Sequence, residues 1–550
     1  MLRAQQPAAT PKKPDEPVTG ALEGKVVNEN GQPLAGAALF IRSLNSPGSG
    51  RTTIADIDGN FRVNGLEPAL YVINGNAPAY TTVLSDPTAP TYYRIGDTVR
   101  VEMIRGGAIT GTVTNALGEP VIAVRVRATM VRDARGEVPK ILTSGFIEQP
   151  TDDRGIYRIY GLRPGTYIVS AGGAGFTPSF NPYDQDVPTF APSATRDNAA
   201  EVLVRSGEDS NIDIRYRGEP GRTISGTTKV AGTNGAQLTL TLAGSPIPFG
   251  TTFQPVGARG FAFTGLGDGD YDLVAQEVLS GPTSSVPVFA ISEPRRVSVR
   301  GADVTGIELS PRPLATINGK IALEPSKIAE CQGKRPPLLS ETLVRLQRPE
   351  KETDKEDFLT VRLFASSASP DASGAFVLRN VIPGRYQFEP RFYARYWYLQ
   401  SITTTTGAMK PQKIDTAANW TTVKSGEQIS NLTITLAQGA ASIRGRVPAP
   451  EGAALPGGMS VYLVPAEPDK AEDVLRYFVS EIDADATFTL NNLPPGRYLA
   501  VADTNAPALA KLRQPESAPA RAKLRRSAET KKNDIELKPC QTLADYQLKP

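Results

Sequence analysis

The stretch Gly59-Asn60-Phe61-Arg62-Val63-Asn64-Gly65-Leu66-Glu67-Pro68-Ala69-Leu70-Tyr71 is the first of five copies of one design. The later copies run from Gly155 to Tyr167, Phe261 to Tyr271, Gly374 to Tyr386 and Phe488 to Tyr498. In all five an aromatic residue (Phe61, Tyr157, Phe261, Phe376, Phe488) precedes a tyrosine (Tyr71, Tyr167, Tyr271, Tyr386, Tyr498) by ten positions. A chain that carries one local pattern at this regularity is built from one repeated unit.

The unit begins with alternating apolar and polar residues, as in Phe61/Val63, Tyr157/Ile159, Phe376/Leu378 and Phe488/Leu490. A period of two means a strand with one buried face. A tight reversal follows at Pro164-Gly165, Pro383-Gly384 and Pro495-Gly496, where Pro pre-sets φ and Gly accepts a positive φ. Pro68-Ala69 lacks the glycine and Asp268-Gly269 lacks the proline, so those two turns are expected to differ in type. The tyrosine then opens the next strand. There it can bury its ring between two sheets while its hydroxyl bonds back to the turn backbone, as in the tyrosine corner of Greek-key sandwiches. Tyr71, Tyr167, Tyr271, Tyr386 and Tyr498 are therefore read as structural corners with no catalytic role.

The five leading aromatics lie 96, 104, 115 and 112 residues apart, which is the size of one sandwich domain. The expected fold is all-β: a tandem array of five Ig-like, Greek-key β-sandwiches, with a short helix in the last. The expected boundaries are a flexible Pro/Lys-rich segment at 1–18, then sandwiches at 19–105, 106–218, 219–311, 312–438 and 439–550. Closing strands such as Ile212-Asp213-Ile214, Ile307-Glu308-Leu309 and Leu432-Thr433-Ile434 run almost directly into the next opening, Ile224-Ser225-Gly226, Ile317-Asn318-Gly319 or Ile443-Arg444-Gly445. Such short junctions restrict hinge motion.

The openings and turns are specific enough to compare. Gly24-x-Val26, Asn30-Gly31-x-Pro33-Leu34-x-Gly36-Ala37, Asp58-Gly59-x-Phe61 and Gly161-Leu162-x-Pro164-Gly165-x-Tyr167 resemble the carboxypeptidase regulatory-like domain. The resemblance is fullest in the first two domains; in the third and fifth, Arg259 and Ala486 stand where the turn before the first aromatic has glycine. It implies a seven-stranded transthyretin-like (prealbumin-like) sandwich and a non-catalytic accessory or surface role in a bacterial secreted or envelope protein, and it names no ligand.

Composition removes most chemistry. The chain contains no histidine, so histidine is lost as general base, proton shuttle and metal ligand. A zinc carboxypeptidase centre and Ser-His-Asp or Cys-His arrangements fall with it. No phosphate-cradling glycine loop stands between a strand and a helix. Asp152-Asp153 lie in a repeated turn, and Asp56-Ile57-Asp58-Gly59-Asn60, which resembles part of a calcium loop, is also a good Asp-Gly turn. We therefore expect no enzyme activity, no cofactor and no metal. The net charge of +3 is interspersed, which leaves no nucleic-acid footprint, and no window is apolar for the ~18 residues of a membrane span. Ala4-Gln5-Gln6-Pro7 reads as a mature N-terminus left after cleavage, so a secreted, periplasmic or surface location is expected, with a cytoplasmic one as the alternative.

Three excursions leave the sandwiches: Phe176 to Ala199, the Lys/Glu-rich Arg348 to Asp357, and Ala506 to Asn533, where Leu509, Leu512 and Leu524 among Lys, Arg and Ala suggest a surface helix. Asp534 to Lys538 reads as the closing strand of the last sandwich. In domain four, Tyr396, Trp397 and Tyr398 could contact a glycan or a protein partner, although alternation sends Trp397 to the opposite face from its neighbours. Cys331 and Cys540, the two cysteines of the chain, lie in polar, turn-like surroundings. They are read as one disulfide between sandwiches four and five, the alternatives being two unpaired thiols or a bridge between chains. The expected function is a non-enzymatic structural, adhesive or scaffold role. The alternatives are carbohydrate binding through the domain-four aromatics or self-assembly into an extracellular fibre, with a surface protein, a glycan or the chain itself as partner.

Overall fold

The computed structural model describes residues 19–44, 50–82, 91–139, 146–174, 181–230, 234–243, 248–258, 260–279, 288–349, 367–406, 412–448, 455–456, 458–483 and 485–548. It is built of strands, with one helix longer than a single turn among the described residues. The chain divides into two compact units, Met1–Ala77 with Thr82–Met103, and Pro78–Thr81 with Ile104–Pro550.

Among the described residues two facing sheets form five times, by one topology. The opening strand (Gly20–Asn28, Gly107–Thr114, Arg222–Thr228, Ala315–Glu324, Ala441–Arg446) lies in the middle of one sheet. On one side it pairs antiparallel with the signature strand (Asn60–Leu66, Ile156–Leu162, Phe261–Leu266, Ala375–Val381, Thr487–Leu493). On the other it pairs parallel with the closing strand. In the second sheet the strand after the opening strand pairs antiparallel with the strand that carries the corner tyrosine. Apolar residues at alternate positions, such as Phe61/Val63 and Phe488/Leu490, point between the sheets and are buried. Because the period is two, a slip of one residue would expose the whole set, so the pattern holds the register.

A second constraint appears only in three dimensions. The glycine at the centre of each opening strand faces the signature aromatic: Gly24 opposite Phe61, Gly111 opposite Tyr157, Gly226 opposite Phe261, Gly319 opposite Phe376, Gly445 opposite Phe488. A β-carbon there would lie 1.9 Å from Val99 O at Gly24, 1.9 Å from Ile212 O at Gly111 and 2.0 Å from Ile307 O at Gly226. At Gly319 it would lie 2.3 Å from the Phe376 ring, and at Gly445 2.7 Å from the Phe488 ring. Glycine is required here for close approach by a ring and a neighbouring strand.

Several expectations are corrected by the strand pairing. Asp534–Leu537 pairs with the tyrosine strand Gly496–Asp503, and the strand that closes the last sandwich beside Ala441–Arg446 is Thr542–Gln547. Cys540 therefore precedes the last strand, in a turn at φ 57°. Of the turn glycines, Gly165 and Gly496 have positive φ (157° and 144°), whereas Gly269 and Gly384 do not. Residues 181–199 are not a free excursion: Thr189 and Ala191 are buried, Arg125 pairs with Asp184, and Tyr216 donates to Asp186 at 2.7 Å. Residues 1–18, 176–180, 259 and 350–357 lie outside the described residues.

The insertion in the last sandwich forms a short helix α1 (Leu509–Leu512) and a longer α2 (Ala518–Lys531). Leu512, Leu524 and Ala528 pack with Tyr462, Val464, Tyr477, Leu499 and Val501 on the outer face of the sheet formed by Ser460–Pro465 and Gly496–Asp503. That sheet is apolar on both faces, which is why a helix must cover one of them. Buried Arg521 satisfies the end of α1 by donating to Leu512 O (2.7 Å) and Gln514 O (2.9 Å), as the free carbonyls of a helix terminus require.

Candidate functional site: the corner tyrosines and the joint of the last two sandwiches

Each corner tyrosine donates its hydroxyl to the carbonyl four residues before it. The bonds are Tyr71 to Glu67 O (2.7 Å), Tyr167 to Arg163 O (3.0 Å), Tyr271 to Gly267 O (2.8 Å), Tyr386 to Ile382 O (2.8 Å) and Tyr498 to Pro494 O (2.8 Å). The rings are buried in their cores, so the hydroxyl is satisfied at the turn while the ring fills space between sheets. The turn chemistry varies from copy to copy; the hydrogen bond does not. Replacing Tyr167 by Phe is expected to cost about 1 kcal/mol. Amide exchange of Gly165–Ala171 should then accelerate about fivefold, and an unchanged rate would show that the bond contributes nothing.

Burial pushes the Tyr271 phenol up to about 12, and it raises Tyr71, Tyr167 and Tyr498 in the same direction. In the folded chain these phenols keep their protons to higher pH than in the unfolded chain, whose tyrosines titrate near about 10. Their contribution is therefore complete below about pH 10 and is lost as pH rises from there towards the folded-state values. Urea midpoints measured at pH 9 and 11 should fall at the higher pH; equal midpoints would contradict this account of the corners.

The fourth and fifth sandwiches share their interior. Val474 and Leu475 of the fifth sit in the core of the fourth with Phe388, Trp397 and Ile402. Asn492 donates to Ala394 O and Trp397 O, both at 2.7 Å. Gln387 donates to Arg513 O at 3.1 Å, and Trp420 donates to Glu516 at 2.9 Å. Gln387, Glu389, Leu475 and Arg513 line a cavity of about 110 Å³ between them, where burial draws the Arg513 guanidinium below its ordinary value.

The structure joins Cys331 to Cys540 across this joint, with Cα atoms 5.5 Å apart and a sequence separation of 209. Cys331 is 0% exposed, a depth that its polar neighbours in sequence do not suggest. The bridge is seated by main chain and side chain together: Cys540 N donates to Gly439 O at 3.0 Å, and Gln438 donates to Cys331 O at 2.9 Å.

The aromatic run lies at the same joint. Trp397 is 2% exposed, so the expectation that it could present a stacking face is corrected: the indole is core. Tyr396 is half-buried with the Lys334 ammonium 4.7 Å from its ring centre. Tyr398, also half-buried, has its phenol raised by burial. The three residues do not form one exposed platform.

The acidic turns are occupied by their own backbone. The Asp56 carboxylate accepts from Asp58 N (3.0 Å) and Asn60 N (2.8 Å). Asp152 accepts from Arg154 N (2.9 Å) and Ile156 N (2.8 Å), and these bonds with Arg154 hold its carboxyl below the ordinary range. Asp371 does the same for Ser373 N (2.8 Å) and Ala375 N (3.0 Å). Among the described residues no cluster of three potential metal ligands occurs, and no helix is long and apolar enough to cross a membrane.

Comparison with solved structures finds the TIE protein of Bacillus anthracis at 12% identity, covering 54% of this chain and 51% of that one, with a TM-score of 0.15. The match thus spans about half the length of that protein. The minor pilin of Streptococcus agalactiae matches at 11% identity over 36% of this chain and 96% of its own, with a TM-score of 0.20. The major pilin subunit BcpA of Bacillus cereus matches at 12% over 54% of this chain and 99% of its own, with a TM-score of 0.14. No curated protein matches the chain. Residues 21–97, the first pair of sheets, match the family model of the carboxypeptidase regulatory-like domain, and that domain is what this part of the chain contains.

Proposed function

We propose that the chain is a non-enzymatic structural, adhesive or scaffold protein that works outside the cytoplasm. It is built of five sandwiches, at 19–105, 106–218, 219–311, 312–438 and 439–550. The observation that carries this reading is the Cys331–Cys540 bridge. A disulfide that ties two domains together suits an oxidising compartment, and it stiffens a chain without contributing to chemistry. The absence of histidine from the sequence and the use of the acidic residues as turn formers support a role without catalysis. The partner we propose is a protein, copies of this chain included. Glycan recognition through the Tyr396–Tyr398 run of domain four is not favoured, because Trp397 is buried.

The test is made in the native host. Cells are quenched in acid, free thiols are alkylated, and the alkylation of Cys331 and Cys540 is read by peptide mapping. The proposal expects both cysteines to be protected until a reductant is added. Two freely alkylated thiols would place the protein in a reducing compartment and overturn the extracytoplasmic reading.

A further inference from the structure

Four positions after the signature aromatic, all five repeats place a residue with positive φ: Gly65 (69°), Gly161 (74°), Gly265 (71°), Asn380 (57°) and Asn492 (58°). Each coincides with a register shift between the signature strand and the opening strand. It is therefore one β-bulge conserved through the array of repeats, with the extra residue in the left-handed region. Gly adopts that region most readily, and Asn and Asp more readily than other residues. The backbone thus narrows the choice, and the two residues found are chemically different: one offers no side chain, the other an amide.

In the last three sandwiches this bulge is where the preceding sandwich arrives. A β-carbon on Gly265 would lie 2.5 Å from Asp184 O and 2.8 Å from Asp186 O of the second sandwich. Asn380 accepts from Phe289 N of the third sandwich at 2.9 Å. Asn492 donates to Ala394 O and Trp397 O of the fourth, both at 2.7 Å. The arriving segment always follows the tyrosine strand of the sandwich before: Gly165–Ala171, Gly269–Val278 and Gly384–Arg391. Two separate regularities meet, one in the receiving bulge and one in the donated segment.

We infer that this bulge residue is the joint residue of the last three sandwiches, the site through which each of them fixes the one before it. Glycine makes the joint by main-chain approach and asparagine by hydrogen bonds between its amide and the main chain of its neighbour, Asn380 accepting and Asn492 donating. Asn492 is a positioning residue that holds the last joint alongside the disulfide. The inference does not depend on which partner the array serves.

The full-length chain with Cys331→Ser and Cys540→Ser provides the background, so that the disulfide does not mask the joint. Into it are placed Asn492→Gly, which keeps the positive φ, and Asn492→Asp, which also tolerates it but sets a carboxylate against two carbonyls. Hydrogen exchange is followed at Gly439 and Ala440, whose amides donate to Tyr396 O, with Tyr498–Val501 as the reference for the interior of the fifth sandwich. Loss of the two bonds should speed exchange at Gly439 and Ala440 by about tenfold or more, since one net hydrogen bond already approaches that factor. The effect should be larger for Asp than for Gly, and exchange at Tyr498–Val501 should be unchanged. The inference is overturned if both variants leave Gly439 and Ala440 protected. It is equally overturned if Tyr498–Val501 accelerates by the same factor, because the residue would then stabilise its own sandwich rather than the joint. Asn380→Gly should leave all these amides unchanged, and a similar acceleration there would also overturn it.

Discussion

Replacing Cys331 and Cys540 together by serine is expected to lower the unfolding free energy of the last two sandwiches by up to about 5 kcal/mol. The bridge closes 209 residues, and in the chain-entropy view so long a loop costs the unfolded ensemble much of its freedom. Native contacts around the bridge survive the change, because Gln438, Gly439 and Cys540 hold the same backbone in place through hydrogen bonds. The loss should thus appear as a lower urea midpoint and not as a misfolded chain. Tryptophan emission is the appropriate probe, since both tryptophans of the chain, Trp397 and Trp420, lie at this joint. A midpoint equal to that of the oxidised protein would show that the bridge is incidental.

Truncation of a signature aromatic is expected to be as severe. Phe488 is 1% exposed and lies against Gly445, whose missing side chain leaves room for the ring. Phe488→Ala removes the ring from a floor that has no atoms of its own to refill the space, so the cavity term adds in full to the lost transfer energy. We expect a cost of about 3 to 5 kcal/mol, confined to the fifth sandwich. Urea unfolding followed by hydrogen exchange should show Thr487–Leu493 and Ala441–Arg446 losing protection together while the second sandwich keeps its own. A cost below about 1 kcal/mol would mean that the pairing of glycine with aromatic is not what holds these sheets together.

What could be read in the sequence was local. Alternation at Phe61/Val63 and its four counterparts, and the tyrosine ten residues after each aromatic, are short-range patterns. Each maps onto one strand and one turn, and the corner bonds span four residues in every copy. What could not be read was pairing. Asp534–Leu537 and Thr542–Gln547 both look like strands, and periodicity is silent on which neighbour a strand chooses; the first joins the tyrosine strand and the second the opening strand. Trp397 shows the same limit. Alternation separates it from Tyr396 and Tyr398 but does not say which set faces the core, and the answer depends on Val474 and Leu475, more than seventy residues away.

The joint residues were missed for a related reason. Asn380 and Asn492 occupy the position that is Gly65, Gly161 and Gly265 in the other copies, so an alignment of the repeats within the chain contained the signal: a site restricted to Gly and Asn marks a left-handed backbone. The glycines opposite the aromatics were visible as well, in Gly24-x-Val26 and Ile443-Arg444-Gly445. Their partners emerge only when opening and signature strands are laid side by side. Both features connect distant segments, and both belong to the assembly of the sandwiches rather than to the making of a strand.

The central claim is that sandwiches follow one another along the chain and that the last two are locked by one covalent bridge. Pulling the full-length protein by its ends in a single-molecule force experiment tests this directly. Without reductant, the 209 residues enclosed by the bridge cannot extend, and the fully stretched chain should be shorter by about 700 Å than with reductant. With reductant, the sandwiches should yield in separate steps. Equal stretched lengths under the two conditions, or extension without separate steps, would contradict the account.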